Sequence, residues 1–328
     1  MSLLKDVSRS FYLTLRVLPA AIRGQIGLAY LLARATDTIA DTELVPLEHR
    51  LHSLQTLRVG IFGADEPSLN LGDFAHRQDL PAERALLEQI HGSLRLLRNF
   101  TPADRRLVRD VLSTIISGQE LDLRRFAGAS AENVICLRTD QELEDYTYRV
   151  AGCVGEFWTK ICRAHIFPEA PLDEAWLLQN AIRFGKGLQL VNILRDLAAD
   201  ARQGRCYLPG ERLSALGLGP ADLLELESES RLRPLYNSYL DQTEKHLQAG
   251  WAYTNALPWR NIRVRLACAW PILIGLETVK RLRAGNVLDP GKRIKVSRNR
   301  VRRLLWRSVV LYPWPRGWKA IASPANLP

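Results

Sequence analysis

The chain has few cysteines, and none of them forms a C-x-x-C pair. The five lie apart among 328 residues, at Cys136, Cys153, Cys162, Cys206 and Cys268. This scatter argues against a zinc site or a disulfide framework and fits a reducing compartment. The opening residues, MSLLKDVSRSFYLTLR, lack the apolar core and the small-residue cleavage site of a signal peptide. No apolar run reaches the roughly 20 residues that a membrane span needs. We therefore expect a cytoplasmic protein with no transmembrane span.

Alternating strand-like patterns are also scarce, whereas apolar residues recur at spacings of three and four almost throughout. Prolines followed by acids mark helix starts, as at Thr101-Pro102 and Leu80-Pro81. The pattern predicts helices at 20–41, 46–61, 81–98, 102–126, 141–165, 171–201, 220–229, 232–256, 259–284 and 298–311. The polar stretch 62–80 is interpreted as a surface loop. No repeat or linker divides the chain, which predicts one all-α domain.

Acidic residues are nearly missing from the C-terminal region, although basic residues are concentrated there. Residues 280–319 hold 13 Lys or Arg and one acid, while the rest of the chain holds 32 basic and 34 acidic residues. Such a region suits a nucleic acid, an anionic lipid surface or a phosphorylated small molecule. It lacks a recognised nucleic-acid reading motif, so we expect no nucleic-acid partner.

The segment 302–321 mixes these cations with aromatic residues: Trp306, Tyr312, Trp314 and Trp318. Amphipathic aromatics beside cations are typical of a membrane interface. The alternative interpretation is that the rings cap the core of the protein.

Two short acidic motifs carry the chemistry. Asp37 and Asp41 in DTIAD are four residues apart, and Asn192, Asp196 and Asp200 in NILRDLAAD repeat that spacing. On a helix each set lies on one face, close to apolar residues, where carboxylates are costly unless they are paired or bind metal. Carboxylate and amide oxygens suit Mg²⁺ completed by water and substrate phosphates. The alternative is a surface pattern or a set of structural ion pairs.

With these motifs the chain resembles the squalene and phytoene synthases, which join two isoprenoid diphosphates head to head. The likeness runs from residue 7 to about 298, and its motifs stand in family order: SRSF at 8–11, AYLLARATDTIAD at 29–41, YTYRVAGCVG at 146–155, QLVNILRDLAAD at 189–200 and GRCYLP at 204–209. The resemblance implies a single-domain, all-α isoprenoid-synthase bundle with a central cavity. The catalytic domain would be 1–298. The composition of the remaining residues, 299–328, predicts a basic aromatic tail by which the protein would lie peripherally on an anionic membrane.

The resemblance also implies the site residues. Metal and diphosphate would be held by Asp37, Asp41, Asn192, Asp196 and Asp200. The substrate site would be lined or supported by Ser8, Ser10, Phe11, Tyr30, Arg34, Gln189, Arg205 and Tyr207. Tyr146 is the central tyrosine of the family pattern, and its ring could stabilise a carbocation. A buried structural tyrosine and surface salt bridges of the two arginines are the alternatives.

The implied reaction joins two farnesyl diphosphates through presqualene diphosphate to squalene, with Mg²⁺ and NADPH. The chain contains no G-x-G-x-x-G segment, so a Rossmann domain for NADPH is not predicted. The basic segment GKRIKVSR at 291–298 resembles the family's NADPH flap, with Lys292, Arg293 and Lys295 as the contacts, although a loop facing lipid headgroups fits it equally. The alternative products are hydroxysqualene, dehydrosqualene and phytoene. A membrane-docked helical assembly factor is the non-enzymatic alternative, but all five metal-site side chains are present.

Overall fold

The computed structural model describes residues 11–42, 44–63, 69–291 and 294–322, with the side chains of 11–13 excepted. These residues fall into two compact units, one within 1–127 and 156–169, the other within 128–155 and 170–328. The predicted all-α fold class is confirmed. The described strands are one parallel pair, β1 (Ile135–Leu137) and β2 (Arg205–Pro209). No helix of the described residues is long and apolar enough to cross a membrane.

The first unit contains seven helices in its described N-terminal part: α1 (Phe11–Val17), α2 (Ala20–Asp41), α3 (Leu47–Phe62), α4 (Gly72–His76), α5 (Pro81–Glu88), α6 (Ile90–Arg98) and α7 (Pro102–Arg125). Helix α2 packs against α3, α6 and α7. Its apolar stripe, including Ile22, Leu32 and Ile39, is fully buried. The burial of this stripe fixes the rotation of α2, and therefore the direction in which Asp37 points.

The remaining helices are α8 (Asp140–Thr147), a π-helical turn (Tyr148–Gly152), α9 (Cys153–His165), α10 (Glu174–Arg202), α11 (Gly210–Ser214), two 3₁₀ turns (Pro220–Leu224 and Leu226–Ser228), α12 (Glu229–Ala256), α13 (Ile262–Ala284), α14 (Arg298–Leu311) and α15 (Pro315–Ala320). In the second unit α10 packs along α12, and both pack on α13. The core between these helices includes Leu194, Tyr236, Leu247 and Leu273.

Several predicted helix bounds agree with the structure, since 20–41 and 298–311 match α2 and α14. The single helix predicted over 81–98 is wrong, because the backbone leaves helical geometry at Gln89 (φ −93°, ψ 10°). The predicted loop 62–80 contains α4, whose Phe74 is buried. The predicted helix 220–229 is two 3₁₀ turns followed by the start of α12.

Two further predicted helices, 171–201 and 141–165, also differ from the structure. Helix α10 begins at Glu174 instead of 171, because the Asp173 carboxylate caps it by accepting a hydrogen bond from the Trp176 N–H at 3.0 Å. The helix predicted over 141–165 contains the π-helical turn at Tyr148–Gly152. Such turns insert one residue and frequently mark functional sites.

Candidate active site

Asp37 of the first acidic motif is held by two donors. The Arg34 guanidinium, one turn earlier on α2, donates to Asp37 Oδ2 at 3.1 Å. The Gln119 amide of α7 donates to Asp37 Oδ1 at 2.8 Å. The Asp37 side chain is nevertheless 51% exposed. The carboxylate is therefore oriented by the protein while part of it stays accessible to a ligand.

Arg34 is itself fixed, since its Nη2 donates to Glu83 Oε1 at 2.5 Å. Burial lowers the pKa of Arg34, but the hydrogen bond and charge of Glu83 and the charge of Asp37 outweigh burial and raise it. The predicted neighbours Tyr30 and Asp41 lie on the same helix, half-buried and exposed respectively. The first motif is thus a carboxylate pair with a permanent cation beside it.

Sequence reasoning did not identify Gln119. It is buried in α7, and among the described residues its Oε1 atom has no hydrogen-bond partner. Because the donated bond to Asp37 requires the Nε2 atom, the amide orientation is determined by this contact. The sequence places this glutamine in the helix segment SGQELD, but its partner lies 82 residues away in the chain.

The second motif lies on α10 of the other unit. Asn192 is exposed, and Asp196 and Asp200 are half-buried. Arg195 donates to both carboxylate oxygens of Asp196, through Nε to Oδ1 at 3.0 Å and through its Nη2 to Oδ2. This arginine was also missed by sequence reasoning. As with Asp37, an arginine holds one carboxylate of the motif.

Tyr146 is buried at the C-terminal end of α8, and its ring stacks on Tyr207 of β2. The ring centroids are 4.7 Å apart and the planes meet at 23°. Strand β2 is fixed by pairing with β1, which sets Ile135 opposite Arg205 and Cys136 opposite Cys206. Tyr146 and Tyr207 are thus in contact in the second unit, and Arg205 lies two residues before Tyr207 on the same strand. Gln189, also predicted, is half-buried on α10.

Close helix crossing positions this region. A Cβ atom on Gly155 would lie 2.0 Å from the Ala181 carbonyl oxygen, and one on Gly185 would lie 2.2 Å from the Ala151 carbonyl oxygen. Backbone therefore contacts backbone where the π-helical turn and the start of α9 meet α10. These distances show that the helices approach closely at Gly155.

Some predicted residues lie outside the described residues: Ser8, Ser10, Lys292 and Arg293. Phe11 begins α1, and its side chain is not described. Lys295 is exposed. The roles predicted for these residues stay predictions.

The donor chemistry of the two motifs fits Mg²⁺, because every predicted ligand offers a carboxylate or amide oxygen. Among the described residues, no cluster of three or more His, Cys, Asp and Glu side chains forms a metal site. Each motif by itself is a small set of oxygen ligands. Mg²⁺ usually completes such a set with water and substrate phosphates.

A cavity of about 510 Å³ in the second unit is lined by polar side chains that include Asp140, Glu144, Arg212 and Tyr239. Two of these side chains are hydrogen-bonded to each other, because the Tyr239 hydroxyl donates to Asp140 Oδ1 at 2.5 Å. None of the predicted site residues lines this cavity. The predicted central cavity of the bundle therefore stays a prediction.

Structural comparison defines the class. The complex of TcSQS with the ligand E5700 matches 94% of this chain and 84% of its own chain, with a TM-score of 0.75 and 21% identity. A dehydrosqualene synthase matches 95% of this chain and 94% of its own, with a TM-score of 0.66 and 24% identity. The chain therefore has the all-α isoprenoid-synthase fold.

The chain belongs to the squalene/phytoene synthase family, whose model matches residues 4–300. The 15-cis-phytoene synthase of Synechocystis sp. is 30% identical over 83% of this chain and 71% of its own length. The presqualene diphosphate synthase of Rhodopseudomonas palustris is 28% identical over 77% of each chain. The bifunctional lycopene cyclase/phytoene synthase of Blakeslea trispora is 30% identical over 64% of this chain. The match takes in only 32% of that bifunctional relative. The resemblance inferred from the sequence motifs is confirmed.

Proposed function

We propose that this protein is a Mg²⁺-dependent prenyltransferase that joins two prenyl diphosphates head to head. The observation that carries the proposal is the oriented, half-exposed carboxylate of Asp37 between Arg34 and Gln119, on a chain that bears both aspartate motifs of its family. The exposed half of the Asp37 side chain leaves carboxylate oxygen accessible to a ligand.

The residues present divide the chemistry between them. In each motif the predicted ligands would hold Mg²⁺, which would supply charge stabilisation for a departing diphosphate. Arg34 would add a permanent cation beside the first motif, and Arg205 would add one near Tyr207 of β2. The stacked Tyr146 and Tyr207 rings offer π-faces to an allylic cation. Burial of Tyr146 also keeps water away from that cation.

Farnesyl diphosphate is the substrate we propose. In the first step one molecule loses diphosphate, its allylic cation is attacked by the double bond of the second molecule, and a proton leaves to close the cyclopropane of presqualene diphosphate. The similarity to the Rhodopseudomonas palustris presqualene diphosphate synthase supports this product.

In the second step presqualene diphosphate ionises, rearranges and accepts hydride from NADPH to give squalene. The basic segment 291–298 supports this ending, with Lys292, Arg293 and Lys295 as the proposed phosphate contacts. Phytoene is the second candidate product, favoured by the 30% identity to the Synechocystis phytoene synthase, and it needs no reductant.

Product analysis separates these endings. The protein should be incubated with Mg²⁺ and either farnesyl or geranylgeranyl diphosphate, with and without NADPH, and the hydrocarbons identified by mass spectrometry. Formation of squalene only in the presence of NADPH would support the proposed role of segment 291–298 in binding NADPH. The triple change of Lys292, Arg293 and Lys295 to Ala should then lower squalene while presqualene diphosphate accumulates. The same product with and without NADPH would overturn the squalene ending.

A further inference from the structure

Helix α14 is fastened to α13 along one face by polar contacts. The Arg300 guanidinium donates to the buried Glu277 carboxylate, Nη2 to Oε2, at 2.9 Å. The Trp270 indole N–H donates to the Ser308 hydroxyl at 3.1 Å. Leu304, between these contacts, is also buried. The inward face of α14 is therefore fixed by specific contacts as well as by apolar packing.

The segment after α14 is anchored just as firmly. Trp318 is fully buried, and its indole N–H donates to Asn255 Oδ1 at 2.8 Å. The buried Arg265 guanidinium lies 5.5 Å from the Trp318 ring centroid and 5.8 Å from that of Tyr312. Both rings thus complete the core of the second unit. For Tyr312 and Trp318, the interpretation that the tail aromatics cap the core is correct.

The other two tail aromatics have the opposite surroundings. Trp306 is 69% exposed and Trp314 is 59% exposed, and the nearby Val309 and Val310 are also exposed. Arg302, Trp306, Val309 and Val310 recur at helical spacings of three and four, so they share the face opposite Leu304 and Ser308. Trp306 therefore lies on a face of α14 that the rest of the described chain leaves uncovered, and Trp314 is exposed just beyond the end of α14.

Exposed cations lie on α14 and α15, close in sequence to these apolar side chains. Arg302, Arg303, Arg316 and Lys319 are exposed, and in the part of the chain that the structure describes no carboxylate forms an ion pair with them. We call this the tail surface, made of Arg302, Arg303, Trp306, Val309, Val310, Trp314, Arg316 and Lys319. It combines exposed indoles, aliphatic side chains and unneutralised positive charge.

We propose that the tail surface docks the protein on an anionic lipid bilayer, with α14 lying along the headgroup layer. Indole rings partition into the interface between headgroups and acyl chains, and exposed Arg and Lys side chains are attracted to anionic lipids. Docking on an anionic bilayer needs interfacial aromatic side chains and positive charge on one surface, and the tail surface presents both.

Two other occupants fit the surface less well. A second copy meeting it through a two-fold axis would bring two cationic faces together, since an isologous contact pairs a surface with itself. A nucleic acid would match the charge, but its phosphate backbone would leave Val309 and Val310 without apolar cover. A bilayer alone satisfies both the charge and the apolar side chains.

Vesicle binding in the absence of substrate tests the docking surface without depending on catalysis. The full-length protein should be sedimented with phosphatidylcholine vesicles that either contain or lack phosphatidylglycerol, at low and high salt. We expect binding to the phosphatidylglycerol vesicles alone, weakened by salt. The triple change Arg302→Gln, Arg303→Gln and Arg316→Gln should weaken the partition coefficient about a hundredfold. The exposed arginines Arg77, Arg106 and Arg124, changed to Gln, provide the matched control.

The indoles need a separate variant, because charge alone could hold a protein near a vesicle. The double change Trp306→Ala and Trp314→Ala should weaken binding about tenfold or more. It should also reduce tryptophan quenching by lipids brominated on their acyl chains. The exposed Trp176→Ala is its control. Equal binding of the wild type and both tail variants, or a tail-dependent dimer in analytical ultracentrifugation, would overturn the proposal. So would preferential binding to duplex nucleic acid in competition with the vesicles.

Discussion

Asp37 is oriented by one neighbour from its own helix and one from a helix that lies far along the chain. The Arg34 contact follows from a spacing of three residues, so the sequence predicts it. The Gln119 contact spans 82 residues and depends on how α2 packs against α7. Local spacing therefore predicts which side chains share a face, but it cannot predict which distant donor meets them.

A matched pair of variants tests the role of Gln119. We expect Gln119→Met to lower kcat/KM about tenfold, because Asp37 loses a hydrogen bond to its charged oxygen. The Mg²⁺ concentration at half-maximal activity should rise, and direct Mg²⁺ titration by calorimetry in the presence of a non-reactive diphosphate analogue should show weaker binding.

Gln25→Met is the control, because Gln25 of α2 donates to the buried Asp104 of α7 at 3.1 Å in the same kind of contact. This variant should lower thermal stability and leave the Mg²⁺ response unchanged. If both variants shift the Mg²⁺ response equally, Gln119 acts only through packing.

His246 should make the second unit sensitive to acid. Burial lowers the pKa of His246 to about 4 from 6.5, with the Arg183 and Lys186 charges adding to this and the Glu144 charge opposing it. Between these two pH values the unfolded chain binds a proton that the folded protein does not, so the free energy of unfolding falls as the pH falls from about 6.5 towards 4. His246→Gln should remove up to about one proton from the uptake on unfolding. Denaturant unfolding at several pH values measures this uptake, with the exposed His52→Gln as control. An unchanged pH slope in His246→Gln would contradict the assignment.

At the scale of elements, periodicity predicted the long helices because each buries a continuous apolar stripe. The bounds of α2 and α14 agree with the structure for that reason. The break at Gln89 and the π-helical turn at Tyr148–Gly152 were not predictable, since the apolar spacing continues through both. The π-helical turn packs against α10, a contact that a single segment does not encode.

The close crossing at Gly155 gives a prediction for this element. We expect Gly155→Ala to lower the free energy of unfolding by about 1–3 kcal/mol or more, because its Cβ would overlap the Ala181 carbonyl. Gly92→Ala, on α6, meets nothing within 4 Å among the described residues and should stabilise the protein by about 0.5–1 kcal/mol. Denaturant unfolding measures both changes. A neutral Gly155→Ala would mean that the helices do not cross as closely as the structure shows.

For the whole molecule, charge and motif order were the informative features of the sequence. Five motifs in family order predicted the family that the comparisons confirm. The basic bias of residues 280–319 predicted a partner surface, but composition could not separate the buried Trp318 from the exposed Trp306. That separation requires knowing which face of α14 meets α13 and that Trp318 of α15 packs against Asn255 of α12.

The most direct test of the proposed function is the formation of a C30 product from farnesyl diphosphate and Mg²⁺, detected by mass spectrometry. The account predicts presqualene diphosphate or a C30 hydrocarbon from the wild type. Asp37→Asn and Asp196→Asn should lower the rate at least about a hundredfold while circular dichroism stays helical, and the exposed Asp79→Asn should keep normal turnover. Near-normal turnover in Asp37→Asn or Asp196→Asn would contradict the metal-site assignment. Absence of any head-to-head product from farnesyl or geranylgeranyl diphosphate would contradict the proposed function itself.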